Sequence, residues 1–180
     1  MKKALALALL TLLGCGDAGR GTLRVMANGE AAAVQGYPVT IDGETIALED
    51  DFTIAFEHVY IGLSELRLET AEGDSANVVV EPVVIDLALG PAQMWEVDVP
   101  AQRWDRVSYR THVPGHDDRI IGDVSFNAVH AMLVAQYATY VLGTATQGGE
   151  TYTFAFGFPA VQQSRCENGD GTEGIVVRTG

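Results

Sequence analysis

The residues best suited to chemistry stand together in one short stretch of the sequence, HVPGHDD. It supplies two imidazoles and two carboxylates, from His112, His116, Asp117 and Asp118. Zn²⁺ and Cu²⁺ accept both kinds of ligand, and a loop can turn both histidines inward. The stretch is therefore a candidate zinc or copper site. The interpretation that the sequence favours is a solvated loop, because charged side chains in a polar segment usually face water.

Oxygen ligands also cluster near the end of the chain, in the acidic and glycine-rich stretch ENGDGTEG. Asn168, Asp170 and Glu173 offer the hard oxygen atoms that Ca²⁺ prefers. Their spacing differs from that of a twelve-residue EF-hand loop. An ordinary turn is the favoured interpretation, and a calcium ion is the alternative.

Motifs for catalysis are missing from the sequence. There is no Gly-x-Ser-x-Gly elbow, no Ser-x-x-Lys, no His-Glu-x-x-His and no glycine-rich phosphate loop. We therefore expect that the protein is not an enzyme. Trp95 and Trp104 offer one further surface chemistry, because exposed indoles stack on sugars, but anchoring a core is the commoner role of tryptophan.

The first 14 residues, MKKALALALLTLLG, have the basic start and short apolar run of a secretory leader. They end in Leu12-Leu13-Gly14 before Cys15, a pattern that resembles the lipobox of bacterial lipoproteins. The resemblance implies cleavage before Cys15, acylation of its thiol and a stable lipid anchor. An ordinary leader with a chance cysteine is the alternative. We therefore expect three parts: a signal peptide over 1–14, lipidated Cys15 with a tether over 15–21, and one domain over 22–180.

The composition indicates a folded, acidic domain. Hydrophobic residues make up 47% of the chain and charged residues only 19%, which is typical of a globular protein. Without Lys2 and Lys3 of the leader, 9 cationic residues face 24 acidic ones, a net charge of −15. Such a surface repels phosphate backbones, so we expect no nucleic-acid partner. The expected partners are the membrane, through Cys15, and an unidentified protein or glycan.

One long stretch predicts a β-hairpin and organises the rest of the fold. Tyr137 to Phe158 reads as two strands joined by Gly148-Gly149, a dipeptide that tolerates the positive φ angles of a tight turn. Counting outward from this turn pairs small residues with aromatic ones on a single face. The predicted pairs are Ala145 with Tyr152, Gly143 with Phe154, Val141 with Phe156 and Thr139 with Phe158.

The rest of the chain alternates in the manner of short strands, with one helix predicted over Phe126 to Ala135. In the segment from Phe52 to Glu69 the apolar residues change from one strand face to the other, which predicts a β-bulge near Gly62 or burial on both faces. Many short strands and one minor helix favour an all-β protein, an antiparallel β-sandwich. The chain stops soon after the strand predicted over Gly174 to Val177, and we expect that a closing strand is absent.

Three stretches resemble a family of uncharacterised lipoproteins from myxobacteria: TLRVMANGE, FTIAFEHVYIGLSELRL, and AMLVAQYATYVLGTATQGGETYTFAFGF with the later Cys166. The layout is also similar to exported β-sandwich domains of unknown function and to periplasmic copper-binding proteins associated with methanobactin. The resemblance implies a sandwich fold and an envelope location. The copper-binding proteins are also a precedent for a metal at the histidine loop, although relatives continue into a histidine-containing strand that this chain lacks.

These features predict a lipid-anchored protein of the bacterial cell envelope, in the outer membrane or on the periplasmic face of the inner membrane. We expect its β domain to be a non-enzymatic binding or structural module. A periplasmic protein that binds copper or another metal is the first alternative. A carbohydrate-binding or adhesion module is the second.

Overall fold

The structure is a computed structural model that describes residues 19–159, 163–166 and 174–179, with only the backbone described in 163–166. The described residues form mostly strands. In chain order they are β1 (Arg20–Ala27), β2 (Val39–Ile41), β3 (Glu44–Ile46), β4 (Thr53–Glu69), β5 (Ser75–Val78), β6 (Val83–Asp86), β7 (Ala92–Pro100), β8 (Arg103–Trp104), β9 (Arg106–Thr111), β10 (Arg119–Ile121), β11 (Thr139–Gln147), β12 (Glu150–Phe158), β13 (Gln163–Cys166) and β14 (Ile175–Val176). Two helices, α1 (Glu30–Gln35) and α2 (Phe126–Ala135), and a 3-10 turn at Leu87–Leu89 complete the elements.

An eight-stranded sheet built around β4 dominates the fold. Its main order is β10-β6-β4-β11-β12, while β5 and β9 also pair with β4, and β13 pairs with β9. Every pairing is antiparallel except that of β6 with β10, which is parallel. The all-β prediction is confirmed. The sandwich stays a prediction: the described strands outside the large sheet that contribute to the main core belong to two separate two-stranded sheets, β1 with β7 and β8 with β14.

The main hydrophobic core lies between the sheet of β1 and β7 and one face of the large sheet. Strand residues alternate between faces, so each strand contributes every second side chain. The apolar surface removed from water there stabilises the fold by roughly 25 cal/mol per Å². The buried members are Val25, Ala27, Leu63, Leu66, Leu68, Val83, Ile85, Met94, Trp95, Val99, Trp104, Val107 and Val177.

Helix α2 covers the opposite face of the large sheet, with the bounds that the sequence predicted. Its first turn is capped by the Ser125 side chain, which accepts a hydrogen bond from the Ala128 N–H, and Gln136 ends it in the left-handed conformation. Val129 and Met132 are buried against Tyr60 and its neighbours. Neither helix in the described part of the chain has the length and apolar character needed to cross a bilayer.

The expectation of a single helix was wrong. Residues Glu30–Gln35, with the sequence EAAAVQ, form the short helix α1. Alanine has the highest helix propensity, but six residues are too few to show an apolar period, and no α1 residue is fully buried. The helix is held by its neighbours, since it contacts β2, β4 and the 3-10 turn.

The predicted hairpin of β11 and β12 is confirmed in every pair, from Thr139 with Phe158 to Gln147 with Glu150. Gly148 and Gly149 both have positive φ angles, 59° and 87°, as the tight turn requires. Gly143 is needed for a different reason. A Cβ atom there would lie 2.3 Å from the Ala55 carbonyl oxygen and 2.7 Å from the Phe154 ring.

The change of apolar face around Gly62 corresponds to both of the predicted features. Register shifts occur on either side of Gly62, opposite the Leu142/Gly143 step and between Ser64 and Arg67, and residues of both faces are buried between Tyr60 and Ser64. Gly62 is also the point where β4 passes from β11 to β9: its N–H donates to the Ala138 carbonyl (2.9 Å), and its carbonyl accepts from the His112 N–H (3.0 Å). The HVPGHDD stretch after β9 is followed directly by the strand β10, which pairs in parallel with β6.

Candidate functional site

The four predicted metal ligands do not come together. His112 Nε2 lies 3.1 Å from Asp118 Oδ2, yet the two groups are not aligned for a hydrogen bond, and this buried nitrogen has no hydrogen-bond partner among the described residues. The carboxylate is engaged elsewhere, since Asp118 Oδ2 accepts the Gly115 N–H at 3.1 Å. The Asp118 side chain therefore closes the Pro114-Gly115 turn.

His116 points away from this pair and toward helix α2. Its ring stacks on Phe126, with centroids 5.3 Å apart, and on His130, at 5.9 Å. Parallel stacked rings aim their nitrogens outward instead of at a shared ligand, and Asp117 is exposed. In the part of the chain that the structure describes, no three histidine, cysteine or carboxylate side chains are grouped to hold a metal ion.

Three other predicted residues and the anchor lie outside the described residues: Asn168, Asp170, Glu173 and Cys15. The calcium loop and the lipid anchor therefore stay predictions.

The two tryptophans are core residues and form no surface platform. Trp95 is 4% exposed and Trp104 is 2% exposed. Each indole N–H donates to a backbone carbonyl, Trp95 to Glu81 at 2.8 Å and Trp104 to Pro100 at 3.2 Å. Sugar stacking needs an open indole face, so these residues do not support glycan binding.

A histidine–aspartate pair, which the sequence analysis missed, links the partly exposed His58 of β4 to the buried Asp86 of β6. His58 Nδ1 lies 2.7 Å from Asp86 Oδ2, and the Asp86 carboxylate is fully shielded from water. Asp86 Oδ1 accepts the N–H groups of Val59 and Ala88, both at 3.0 Å. The bonds to His58 and Val59 join β6 to β4, and the bond to Ala88 starts the 3-10 turn. Both carboxylate oxygens of Asp86 are therefore hydrogen-bonded, which indicates a structural role. We call Asp86 with these three partners the Asp86 clamp.

The sequence contains one weak signal for this clamp. Asp86 is the polar end of the apolar run VVID, and a buried carboxylate needs partners. Nothing in the sequence shows that His58, 28 positions away, lies beside it. That proximity follows from the pairing of Tyr60 with Asp86 across the two strands.

Tyr60 extends the cluster under helix α2. Its ring stacks on His58 with centroids 4.8 Å apart, and its hydroxyl donates to the Asp123 carbonyl at 3.4 Å. Burial, and then the negative charges of Asp86 and Asp123, raise the pKa of Tyr60 to about 12. The phenolate form is disfavoured, so Tyr60 is a neutral packing residue at physiological pH.

We expect Tyr60 to make the fold sensitive to alkali. An ordinary tyrosine has a pKa near 10, whereas folded Tyr60 keeps its proton to about pH 12. The contribution to the free energy of unfolding is complete below about pH 10 and falls as the pH rises from there, because the unfolded chain alone loses the proton. Denaturant unfolding across this range should show the fall, and Tyr60→Phe should reduce it.

The matched control for Tyr60→Phe is Tyr152→Phe, measured by the same denaturant unfolding across the alkaline range. Tyr152 is exposed, and its hydrogen bond to the Glu150 carboxylate raises its pKa as well. We expect the alkaline loss of stability to remain in Tyr152→Phe and to diminish in Tyr60→Phe. Equal alkaline profiles for the wild type and Tyr60→Phe would contradict the role of Tyr60.

A row of aromatic side chains lies partly exposed on β12. We call Tyr152, Phe154, Phe156 and Phe158 the aromatic row. Tyr152 is 53% exposed, Phe156 44% and Phe158 52%, which is unusual for rings of this size in one line. Phe154 is partly covered and meets Phe56 edge to face at 6.2 Å.

Strand register places the aromatic row on the same face of the sheet as the main core. Phe158 lies beside Thr139, which lies beside Ile61, and Ile61 packs against the core. Directly opposite residues in neighbouring strands share a face. The row is therefore an apolar surface that continues the core face of the sheet as far as β12.

The rings of the aromatic row do not form a flat platform. Phe154 and Phe156 are tilted by 31° at 5.5 Å, and Phe156 and Phe158 meet at 89° at 5.6 Å. A sugar ring stacks on a flat aromatic face, whereas edge-to-face rings interlock with other aromatic or aliphatic side chains. The row is suited to an apolar polypeptide surface.

Comparison with known proteins adds no residue to the candidate site. No protein-family model, curated protein or solved structure matches this chain. The family resemblance stays a prediction, and no residue role is taken from it.

Proposed function

We propose that this chain is a lipid-anchored protein of the bacterial cell envelope whose β domain is a non-enzymatic binding module. The aromatic row on β12 carries the proposal, as its recognition surface. An exposed row of apolar side chains on one strand lowers the solubility of a protein unless a partner covers it. The Asp86 clamp, in contrast, has its hydrogen bonds satisfied within the fold.

The leader and Cys15 support the anchored location. Strand β1 starts at Arg20, and only residues 16–18 separate Cys15 from the first described residue, Gly19. A fully extended chain spans about 3.5 Å per residue, so an acylated Cys15 would hold Arg20, at the start of β1, within about 18 Å of the lipid surface. The domain would stand directly on the membrane.

Metal binding remains a weaker proposal. His112 and Asp118 are neighbours, but His116 stacks on α2 beside His130. A copper or zinc site would require these side chains to leave their present contacts. Glycan binding is weaker still, since Trp95 and Trp104 are buried.

Lipid labelling tests the anchor. We expect cells that express the full chain to incorporate a palmitate analogue into it, and Cys15→Ser to abolish the label, because only an acylated Cys15 holds the lipid. The matched control is Cys166→Ser, which removes the chain's other cysteine and should leave the label unchanged. An unlabelled wild-type chain, or label that persists in Cys15→Ser, would overturn the anchored function.

A further inference from the structure

Strand β12 is an unprotected sheet edge in the part of the chain that the structure describes. It pairs with β11 on one side, and no described strand lies on its other side. Its nine residues pair with β11 without a register shift. Natural edge strands are usually blocked by a lysine, a proline or a bulge, and residues 151–158, TYTFAFGF, contain no charged residue and no proline.

The sequence of β12 is close to symmetric about Ala155. In an antiparallel pair of two β12 strands centred there, Phe154 lies opposite the second copy's Phe156, and Tyr152 opposite its Phe158. Thr153 then lies opposite Gly157, and Ala155 opposite itself. Large rings meet rings on one face and small residues meet small residues on the other, so the strand complements a copy of itself.

The charges of the strand also allow this self-pairing. A net charge of −13 for the full chain opposes association in general. The only charged residue of β12 is Glu150, at its first position. In the same register Glu150 lies at one end of the paired strands and the second copy's Glu150 at the other, so the two carboxylates are kept apart.

We propose that two copies of this protein pair through β12, in antiparallel register about Ala155, and join their sheets into one. This pairing rests on the proposed membrane anchor, because the interface alone is too small to hold a stable dimer in solution. Tyr152, Phe156 and Phe158 each expose about half of a side chain of roughly 200 Å², so two copies bury only about 600 Å² of ring surface. That is below the roughly 1,200 Å² of a stable interface, and confinement to a membrane raises the effective concentration.

Disulfide trapping in the envelope tests the register. Directly opposite Cβ atoms in an antiparallel pair approach closely enough for a disulfide, so Ala155→Cys in the full chain should form a disulfide-linked dimer on a non-reducing gel. Thr153→Cys is the matched control. It is exposed on the same face, but its counterpart in the second copy would lie four residues away, roughly 13 Å, which is too far.

The supporting result is a dimer band in Ala155→Cys that is absent from the wild type and from Thr153→Cys, and that is lost when Phe156→Lys is added. No dimer in Ala155→Cys, or equal dimer in both cysteine variants, would overturn the pairing. So would a dimer that persists unchanged in Phe156→Lys. Palmitate labelling of the same samples tests anchoring separately, so a failed anchor and a failed pairing give different results.

Discussion

Replacing Asp86 with alanine is expected to lower the free energy of unfolding by about 3 to 5 kcal/mol, because it leaves two buried backbone N–H groups without an acceptor and opens a cavity. Those groups belong to Val59 and Ala88, which bond to Asp86 Oδ1 at 3.0 Å. The loss is large compared with a total stability of about 5 to 15 kcal/mol. Urea unfolding followed by tryptophan fluorescence measures it.

The matched control is Asp86→Asn. The amide oxygen can take the place of Oδ1, and the amide N–H₂ can donate to His58 Nδ1, now 2.7 Å from Oδ2, in the ring's other tautomer. The shape and the hydrogen bonds are kept, so we expect a cost of only about 1 kcal/mol. If Asp86→Ala stays within 1 kcal/mol of the wild type, the clamp is not structural.

Replacing Trp95 with alanine is expected to cost a similar amount, about 3 to 5 kcal/mol, as for other large aromatic residues in a core. Its side chain lies in the main core, and its N–H donates to Glu81 at 2.8 Å. This bond fixes the exposed loop between β5 and β6 against β7. Circular dichroism in urea is the suitable measurement, because the substitution removes one of the two fluorophores.

Two further variants separate packing from surface binding at Trp95. Trp95→Phe keeps most of the apolar volume and loses the N–H, so we expect about 1 to 2 kcal/mol. Val79→Ala lies in the same loop at 97% exposure and should change stability by less than about 0.5 kcal/mol. A stable Trp95→Ala protein that lost glycan binding would instead favour the carbohydrate alternative.

The sequence by itself determined the local structure of the hairpin and of α2. Gly148-Gly149 set the turn, and the period-two pattern around it predicted every pair of β11 with β12. The apolar stripe over Phe126 to Ala135 predicted α2 with its observed bounds. These predictions succeed because turn chemistry and side-chain periodicity depend on residues close together in the chain.

Only the tertiary structure decided which distant groups meet. His58 and Asp86 form a clamp because β4 and β6 are paired there, whereas His112 and His116, only four positions apart, point to different neighbours. Likewise, the face that carries Phe156 and Phe158 could be predicted, but not that β12 is a sheet edge that leaves it open. Strand order and burial depend on contacts between distant segments, which local sequence patterns do not encode.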